Sequence, residues 1–225
     1  MATPLLFLGG AGLTDWVWED VRRRLEVDSA VARYPTRTGA GLDDYATEVL
    51  SQVDRPTVTL VAHSLGGVVA SQIVARAPER VDGVLAISGC IPAEGRSFLG
   101  SLPKPQGFVL GVMMRALGTR PPDKQIRSGL GAGLPDHVGD RLVAEFSPES
   151  RAVYRDPVSP RTFPAHRGYL FTSRDNQFPA PYQERFAHEL DATWTRTLDA
   201  GHLPMLEDPV GLAAMIGDFD GTQAS

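Results

Sequence analysis

The sequence predicts an α/β protein in which a mostly parallel, doubly wound sheet carries a short, mainly helical insertion. Short apolar segments bounded by Gly or Pro alternate with helical patterns. This alternation is typical of a parallel sheet whose strands are buried on both faces. A long middle segment rich in Pro and Gly has helical patterns but no strand pattern. We therefore expect the middle segment to be inserted into the α/β fold.

The strand patterns are short and rich in aliphatic or β-branched residues. They lie at residues 5–8, 31–34, 57–62, 84–88, 169–172 and 193–198. The helical patterns between them lie at residues 16–26, 43–53, 65–77, 181–190 and 210–219. The helix predicted at 65–77 should stop before Pro78, because proline cannot continue a helix.

The middle segment divides the predicted α/β core into two parts. It contains helical patterns at residues 108–117 and 138–146. A structureless loop of this length is uncommon inside a compact domain, so we expect a functional element instead. Residues 1–91 and 166–225 are accordingly predicted to form the core, and residues 92–165 a helical cap.

Composition excludes several classes of protein. The chain has 22 Lys and Arg against 27 Asp and Glu, a formal charge of −5, which argues against a nucleic-acid or membrane-surface partner. Its single cysteine, Cys90, cannot form an internal disulfide or a Cys-rich metal site. No apolar run approaches the roughly 20 residues of a membrane span, and the N-terminus lacks a basic signal-peptide region. We expect a cytoplasmic protein whose partner is a small-molecule substrate.

The segment from Thr57 to Gly67 carries the strongest functional signal. A strand pattern leads directly into His-Ser-Leu-Gly-Gly, and a helical pattern begins immediately afterwards. A serine on such a sharp turn is a nucleophile elbow, which holds the hydroxyl clear of the sheet and needs small neighbours. Ser64 is therefore the candidate nucleophile, with Gly66 as one small neighbour and Ala62 at a position where glycine is usual.

A serine hydroxyl needs a base before it can attack at neutral pH. His202 is the candidate base because it follows the last predicted strand, at the carboxyl edge of the sheet where Ser64 also lies. Asp175, after the strand predicted at 169–172, is the candidate acid that orients the imidazole. Asp199 competes for this role, but it lies only three residues before His202 and is too close in sequence to brace the ring easily. His63 is given a packing role.

Acyl transfer also needs N–H donors that stabilise a developing oxyanion. The Leu65 amide at the start of a helix and the Ala11 amide in the glycine-rich loop after the first strand are the candidates. The same glycines do not fit a dinucleotide fingerprint, because Asp15 stands where its third glycine is required. The sequence has no Walker loop, HExxH motif or Cys/His cluster, so we expect no cofactor and no metal.

Together these segments resemble the α/β-hydrolase superfamily, and more narrowly the plant methylesterase and hydroxynitrile lyase group with its bacterial esterase relatives. Residues 9–18, Gly-Gly-Ala-Gly-Leu-Thr-Asp-Trp-Val-Trp, are similar to that group's H-G-A-x-x-x-x-W-x-W segment. The elbow at 62–67, the segment at 88–97 and the loops at 171–175 and 201–206 also resemble the group's motifs. The similarity covers both core parts, whereas the cap is only loosely comparable.

The resemblance implies a triad of Ser64, Asp175 and His202, an oxyanion hole formed by the two amides named above, no cofactor, and a pocket beneath the cap. Gly9 is a departure, because the group usually has a histidine there that props the oxyanion loop. The lyases of the group resemble one another in a lysine directly after the catalytic histidine and a threonine in the oxyanion loop. This chain has Leu203 and Gly10 at these two positions, so it resembles the esterases and not the lyases.

We therefore predict a serine hydrolase that cleaves a small, fairly apolar ester through an acyl-enzyme. Apolar side chains are expected to line its pocket. They are Phe98, Phe108, Met113, Met114 and Leu203. Two alternatives stay open: a non-hydrolytic enzyme on the same fold (a lyase, a cyclase or a cofactor-free peroxidase), and a small-molecule-binding protein with a vestigial triad.

Overall fold

A six-stranded parallel sheet lies at the centre of the computed structural model, which describes residues 3–221. The strands are β1 (Leu5–Leu8), β2 (Ser29–Val31), β3 (Val58–His63), β4 (Val81–Ile87), β5 (His166–Thr172) and β6 (Trp194–Leu198). Their order in the sheet is β2-β1-β3-β4-β5-β6, and every neighbouring pair is parallel. The predicted fold class is confirmed.

Helices flank the sheet, as the strand–helix alternation predicts. They are α1 (Glu19–Arg22), α2 (Leu42–Ser51), α3 (Gly66–Arg76), α4 (Phe98–Ser101), α5 (Gln106–Leu117), α6 (Asp123–Gln125), α7 (Asp136–Ala144), α8 (Arg151–Arg155), α9 (Ala180–Leu190), α10 (Pro204–Glu207) and α11 (Pro209–Asp220). A 3₁₀ turn at Asp15–Trp18 precedes α1, and a π-helical turn at Ile126–Leu130 follows α6. No helix within residues 3–221 has the length and hydrophobicity that a membrane span requires.

The two faces of the sheet bury two separate apolar clusters, because successive strand side chains point to opposite faces. Leu60 and Ala62 of β3 pack with α2, α3 and α9 on one face. Val61, between them, packs with α1 and α11 on the other. The sheet is therefore doubly wound, and all parallel strands end at the same edge.

The helical insertion lies between Ile87, the end of β4, and His166, the start of β5. It contains α4 to α8, and within residues 92–165 the structure has no strand of the central sheet. An antiparallel bridge between Gly12 and Ser147 joins the insertion to the loop that follows β1. The exact division into a core of 1–91 and 166–225 and a cap of 92–165 stays a prediction.

Several element boundaries differ from those predicted, and β4 and β5 each begin three residues earlier than expected, at Val81 and His166. The strand expected at 31–34 lies at Ser29–Val31. It pairs with β1 only from Leu5 to Phe7, and the pairing ends where the Ala32 amide donates a hydrogen bond to the Phe7 carbonyl oxygen. The helix expected at 16–26 is divided into the 3₁₀ turn and the single-turn helix α1, which ends at Arg22. Tight turns at residues 23–25 then redirect the chain towards β2.

Candidate active site

The turn between β3 and α3 holds Ser64 in a conformation that few non-glycine residues adopt. Its φ is +52°, in the left-handed region, which costs about 1 kcal/mol or more. A Cβ on Gly66 would lie 2.4 Å from the Leu8 carbonyl oxygen, and one on Gly67 would lie 2.5 Å from the Cys90 carbonyl oxygen. Both glycines are therefore required sterically, and the Ser64 side chain is presented above the carboxyl edge of the sheet.

The structure brings Ser64, His202 and Asp175 together in one hydrogen-bonded row. His202 Nε2 lies 3.1 Å from Ser64 Oγ, and His202 Nδ1 lies 2.7 Å from Asp175 Oδ2. All three side chains are buried. Asp199, the competing acid, lies on the surface and forms an ion pair with Arg174. The row has the geometry of a nucleophile, a base and a group that orients the base.

The carboxylate of Asp175 is held by hydrogen bonds on both oxygens. Oδ1 accepts the backbone N–H groups of Gln177 at 2.7 Å and Phe178 at 2.9 Å, and Oδ2 accepts the Ser88 hydroxyl as well as His202. Burial alone would raise the pKa of Asp175, but these hydrogen bonds and the nearby imidazole outweigh it and lower the pKa to about 2. The group is therefore ionised at neutral pH.

Ser88 was not among the residues that the sequence singled out. It lies directly after β4 with a φ of +41°, and its amide donates to the Leu170 carbonyl oxygen at 3.0 Å. That backbone bond ties it to β5, the strand that leads to Asp175. The sequence places Ser88 at the carboxyl end of a predicted strand and at the start of the segment 88–97 that resembles the related group, but neither feature indicates a contact with a carboxylate 87 residues away.

His63 packs beneath the site but also makes a specific contact with it. Its Nε2 lies 2.7 Å from the backbone carbonyl oxygen of His202, and the two imidazole rings are 4.8 Å apart. Burial and the nearby His202 imidazole lower the pKa of His63 to about 3, so the ring is neutral and its Nε2–H donates. His63 therefore anchors the loop that carries His202.

The glycine-rich loop after β1 lies against the serine. A Cβ on Gly10 would lie 3.0 Å from Ser64 Cβ and 2.8 Å from His63 Nδ1, so a side chain does not fit there. Within residues 3–221, neither the Ala11 amide nor the Leu65 amide donates a hydrogen bond to a protein acceptor. The two candidate oxyanion donors are therefore free of protein acceptors.

Beside Ser64 and His202 lies a cavity of about 420 Å³. Its wall is mainly apolar. Residues of the glycine-rich loop after β1, of the insertion and of the segment after β5 contribute to it. The apolar and aromatic side chains are those of Ala11, Leu13, Phe98, Leu102, Leu110, Met114, Pro121, Ile126, Leu130, Phe146, Tyr154 and Phe178. The polar ones include Gln106, Gln125 and Gln177.

Two of the five predicted pocket residues, Phe98 and Met114, line this cavity. Phe108 and Met113 do not: they project from the other side of α5 and are 75% and 41% exposed. Leu203 is fully buried in the apolar cluster beneath the sheet and does not reach the cavity wall. The sequence identified α5 as apolar, but it did not show which side of that helix faces the serine.

The remaining histidines lie away from the cavity. His137 and His188 are exposed on helices, and His166 stacks on Phe219 with ring centroids 4.0 Å apart. Among residues 3–221, no group of three or more His, Cys, Asp or Glu side chains is arranged to hold a metal ion.

Comparison with known proteins identifies the family. The sequence profile of the alpha/beta hydrolase family matches residues 5–215. A pimeloyl-[acyl-carrier protein] methyl ester esterase from Pectobacterium carotovorum subsp. carotovorum (strain PC1) is 38% identical over 104 residues, which are 41% of this chain and 40% of that protein. The chain thus matches less than half the length of this curated relative.

Solved structures of similar fold cover nearly the whole chain. An extracellular alpha/beta-hydrolase from a Paenibacillus species has a TM-score of 0.81 at 16% identity, over 96% of this chain and 98% of that one. A methylesterase from Arabidopsis has a TM-score of 0.74 at 17% identity, over 95% and 97%. These similarities concern the fold. With the family match, they confirm the predicted resemblance and the prediction of an α/β-hydrolase enzyme: the chain belongs to the alpha/beta hydrolase family.

Proposed function

We propose that this protein is a serine hydrolase that cleaves a small, fairly apolar ester. The observation that carries the proposal is the row of hydrogen bonds at 3.1 Å and 2.7 Å that joins Ser64 Oγ to His202 and His202 to Asp175. Family membership and a methyl ester esterase among the relatives support an ester as substrate. The mainly apolar wall of the adjoining cavity supports an apolar substrate group.

In the proposed mechanism, His202 Nε2 takes the proton from Ser64 Oγ as this oxygen attacks the ester carbonyl carbon. The ionised Asp175 stabilises the imidazolium that forms. The Ala11 and Leu65 amides donate hydrogen bonds to the oxyanion, and the partial positive charge at the start of α3 adds to this stabilisation. His202 then protonates the departing alcohol, and the same sequence with water releases the acid from the acyl-enzyme.

We further propose that the segment at residues 92–165 acts as a cap over the serine. Phe98, Leu110 and Met114, all from this segment, lie on the wall of the cavity that contains Ser64. A substrate held there would be shielded from bulk water on the side opposite the sheet, which strengthens electrostatic interactions at the reacting carbonyl.

A fluorophosphonate probe tests the nucleophile. We expect the wild-type protein to take one phosphonyl adduct and the Ser64→Ala variant to take none. Ser51→Ala, which removes an exposed hydroxyl from α2, is the matched control and should label like the wild type. A wild-type protein that remains unlabelled while a control esterase reacts would contradict the proposal. A panel of aryl esters of increasing acyl length then defines the substrate size.

A second candidate is a non-hydrolytic reaction on the same residues, and Gly9 is the observation that favours it. The usual histidine is missing from the loop that carries the proposed oxyanion donor Ala11. This candidate predicts poor turnover of every aryl ester together with complete loss of the native reaction in His202→Ala. Efficient ester hydrolysis that disappears in both Ser64→Ala and His202→Ala would exclude it.

A further inference from the structure

Four arginines lie around an open cleft beside the cavity that contains Ser64. The cleft has a volume of about 860 Å³ and lies between the loop at residues 35–39, the C-terminal end of α5 and helix α8. Its arginines are Arg37, Arg115, Arg151 and Arg155. We call it the arginine cleft.

In the part of the chain that the structure describes, three of these four guanidinium groups have no carboxylate partner. Arg37 pairs with Asp44, and Arg151 donates to the backbone carbonyl oxygen of Arg115 at 3.3 Å. Within residues 3–221, the guanidinium groups of Arg115 and Arg155 form no ion pair and no hydrogen bond. The cleft thus gathers four guanidinium groups on a chain whose formal charge as a whole is −5.

The acidic side chains on the same wall are already engaged by the protein. Glu149 is buried and accepts the Tyr45 hydroxyl at 2.6 Å. Asp156 accepts the Leu42 amide at the start of α2 at 2.9 Å. Within residues 3–221, neither carboxylate forms an ion pair with an arginine of the cleft, so these guanidinium groups remain available to an anion.

The arginine cleft shares its wall with the proposed active site. Met114 and Thr119 line both the cleft and the cavity that contains Ser64 and His202. Thr119 is fixed in this position by a hydrogen bond of 2.5 Å from its hydroxyl to the Glu149 carbonyl oxygen. The cleft and the cavity are therefore adjacent, and a substrate that reaches from Ser64 to the arginines would pass these two side chains.

We infer that the arginine cleft binds an anionic group, a carboxylate or a phosphate, that the ester substrate carries some distance from the bond that is cleaved. The inference rests on the proposed function and specifies its substrate class. Arg151 and Arg155 are four residues apart on α8 and share one side of the helix, so both can face the same anion. Guanidinium groups offer paired N–H donors that match the oxygens of carboxylates and phosphates.

Matched 4-nitrophenyl esters test this inference. In each pair of equal chain length, one acyl chain ends in a carboxylate and the other in the corresponding neutral methyl ester. At low ionic strength and at the best chain length, we expect kcat/KM of the wild type to be about tenfold higher for the anionic ester than for the neutral one. A preference of this size corresponds to one hydrogen-bonded charge pair. The preference should decrease with added salt. A second series that ends in a phosphate identifies which anion is bound more tightly.

The Arg151→Gln/Arg155→Gln variant should bring the ratio of anionic to neutral kcat/KM close to one. The control Arg55→Gln/Arg196→Gln removes two charges that pair with Asp28 and Asp218 elsewhere, and it should keep the wild-type ratio. Two results would overturn the inference: no anionic preference at any length in either series, or a preference that the Arg151/Arg155 variant retains.

A binding measurement separates this inference from the proposed function. Titration calorimetry with the Ser64→Ala protein measures the affinity of the same esters without turnover. We expect tighter binding of the anionic ester, which is lost when Arg151 and Arg155 are also replaced. If the wild type hydrolyses no ester and this difference in affinity persists, the proposed function fails and the anion site stands. If esters are hydrolysed and the difference is absent, the anion site fails.

Discussion

The Tyr34 hydroxyl donates a hydrogen bond of 3.0 Å to the Gly9 carbonyl oxygen. Gly9 begins the loop that carries Ala11, and it occupies the position at which the resembling esterases have a histidine prop. Burial raises the pKa of Tyr34, so its hydroxyl stays protonated, and its ring packs on Tyr45 at 5.1 Å. The loop is therefore fixed from the β2 side by a tyrosine hydroxyl.

The first prediction concerns this hydrogen bond. Tyr34→Phe keeps the ring packing and releases the Gly9 carbonyl, so the loop loses its support. We expect kcat for an aryl ester to fall about fivefold with little change in KM, because the lost hydrogen bond is worth about 1 kcal/mol. Steady-state kinetics and thermal unfolding measure the two effects. A variant that is less stable but keeps the wild-type kcat would show that Tyr34 has no positioning role.

The second prediction concerns Ser88, whose hydroxyl donates to Asp175 Oδ2. In Ser88→Ala, we expect a higher pKa for Asp175, a less firmly oriented His202 and a kcat about tenfold lower. Ser173→Ala is a matched control, because it removes a serine–carboxylate bond of 2.7 Å to the exposed Asp199. Equal kinetics for the two variants would contradict the positioning role of Ser88.

The third prediction concerns stability in acid. The pKa of Asp175 is lowered to about 2 in the folded protein, so its ionised form stabilises the fold above its ordinary pKa, and this contribution disappears as the pH falls through about 2. Asp175→Asn should lower the free energy of unfolding by about 2 kcal/mol near neutral pH, and the difference from wild type should decrease between about pH 5 and about pH 2. Chemical unfolding across this range measures it.

Asp199→Asn is the control for that series. Asp199 is exposed, so water screens its pair with Arg174 and its replacement should change stability little at any pH. If the difference in the free energy of unfolding between the wild type and Asp175→Asn stays constant down to the lowest pH, Asp175 is not the titrating group.

The fourth prediction distinguishes the two sides of α5. Met114 lines the cavity, whereas its neighbour Met113 is 41% exposed on the outer side. Met114→Gln places a polar group on the apolar wall and should raise KM for a neutral aryl ester by about fivefold, the cost of about 1 kcal/mol of lost apolar contact. Met113→Gln should leave KM unchanged. The reverse result would place the substrate on the outer side of the helix.

The fold and the three residues of the row were predictable because their signals are local in the sequence. The elbow at Ser64 combines a strand pattern, required glycines and a helix start within a few residues. Asp175 and His202 each follow a strand pattern, and parallel strands end at one edge of a sheet, so their meeting with Ser64 follows from the topology.

The supporting contacts were not predictable because they join distant parts of the chain. Tyr34 meets Gly9 only because β2 pairs with β1, and Ser88 meets Asp175 only because β4 pairs with β5. Met113 and Met114 have similar sequence surroundings, and the packing of α5 against the core decides which of them reaches the cavity. Such relations depend on three-dimensional packing that periodicity does not encode.

The acyl-enzyme on Ser64 tests the central claim most directly. Mixing the protein with a 4-nitrophenyl ester and quenching in acid within the first turnover should trap a covalent acyl group, which mass spectrometry detects on the intact protein and locates in a peptide. The account predicts that the acyl group is on Ser64, that it is absent in Ser64→Ala, and that it forms far more slowly in His202→Ala. An acyl group on another residue, or hydrolysis that continues at the wild-type rate in Ser64→Ala, would contradict it.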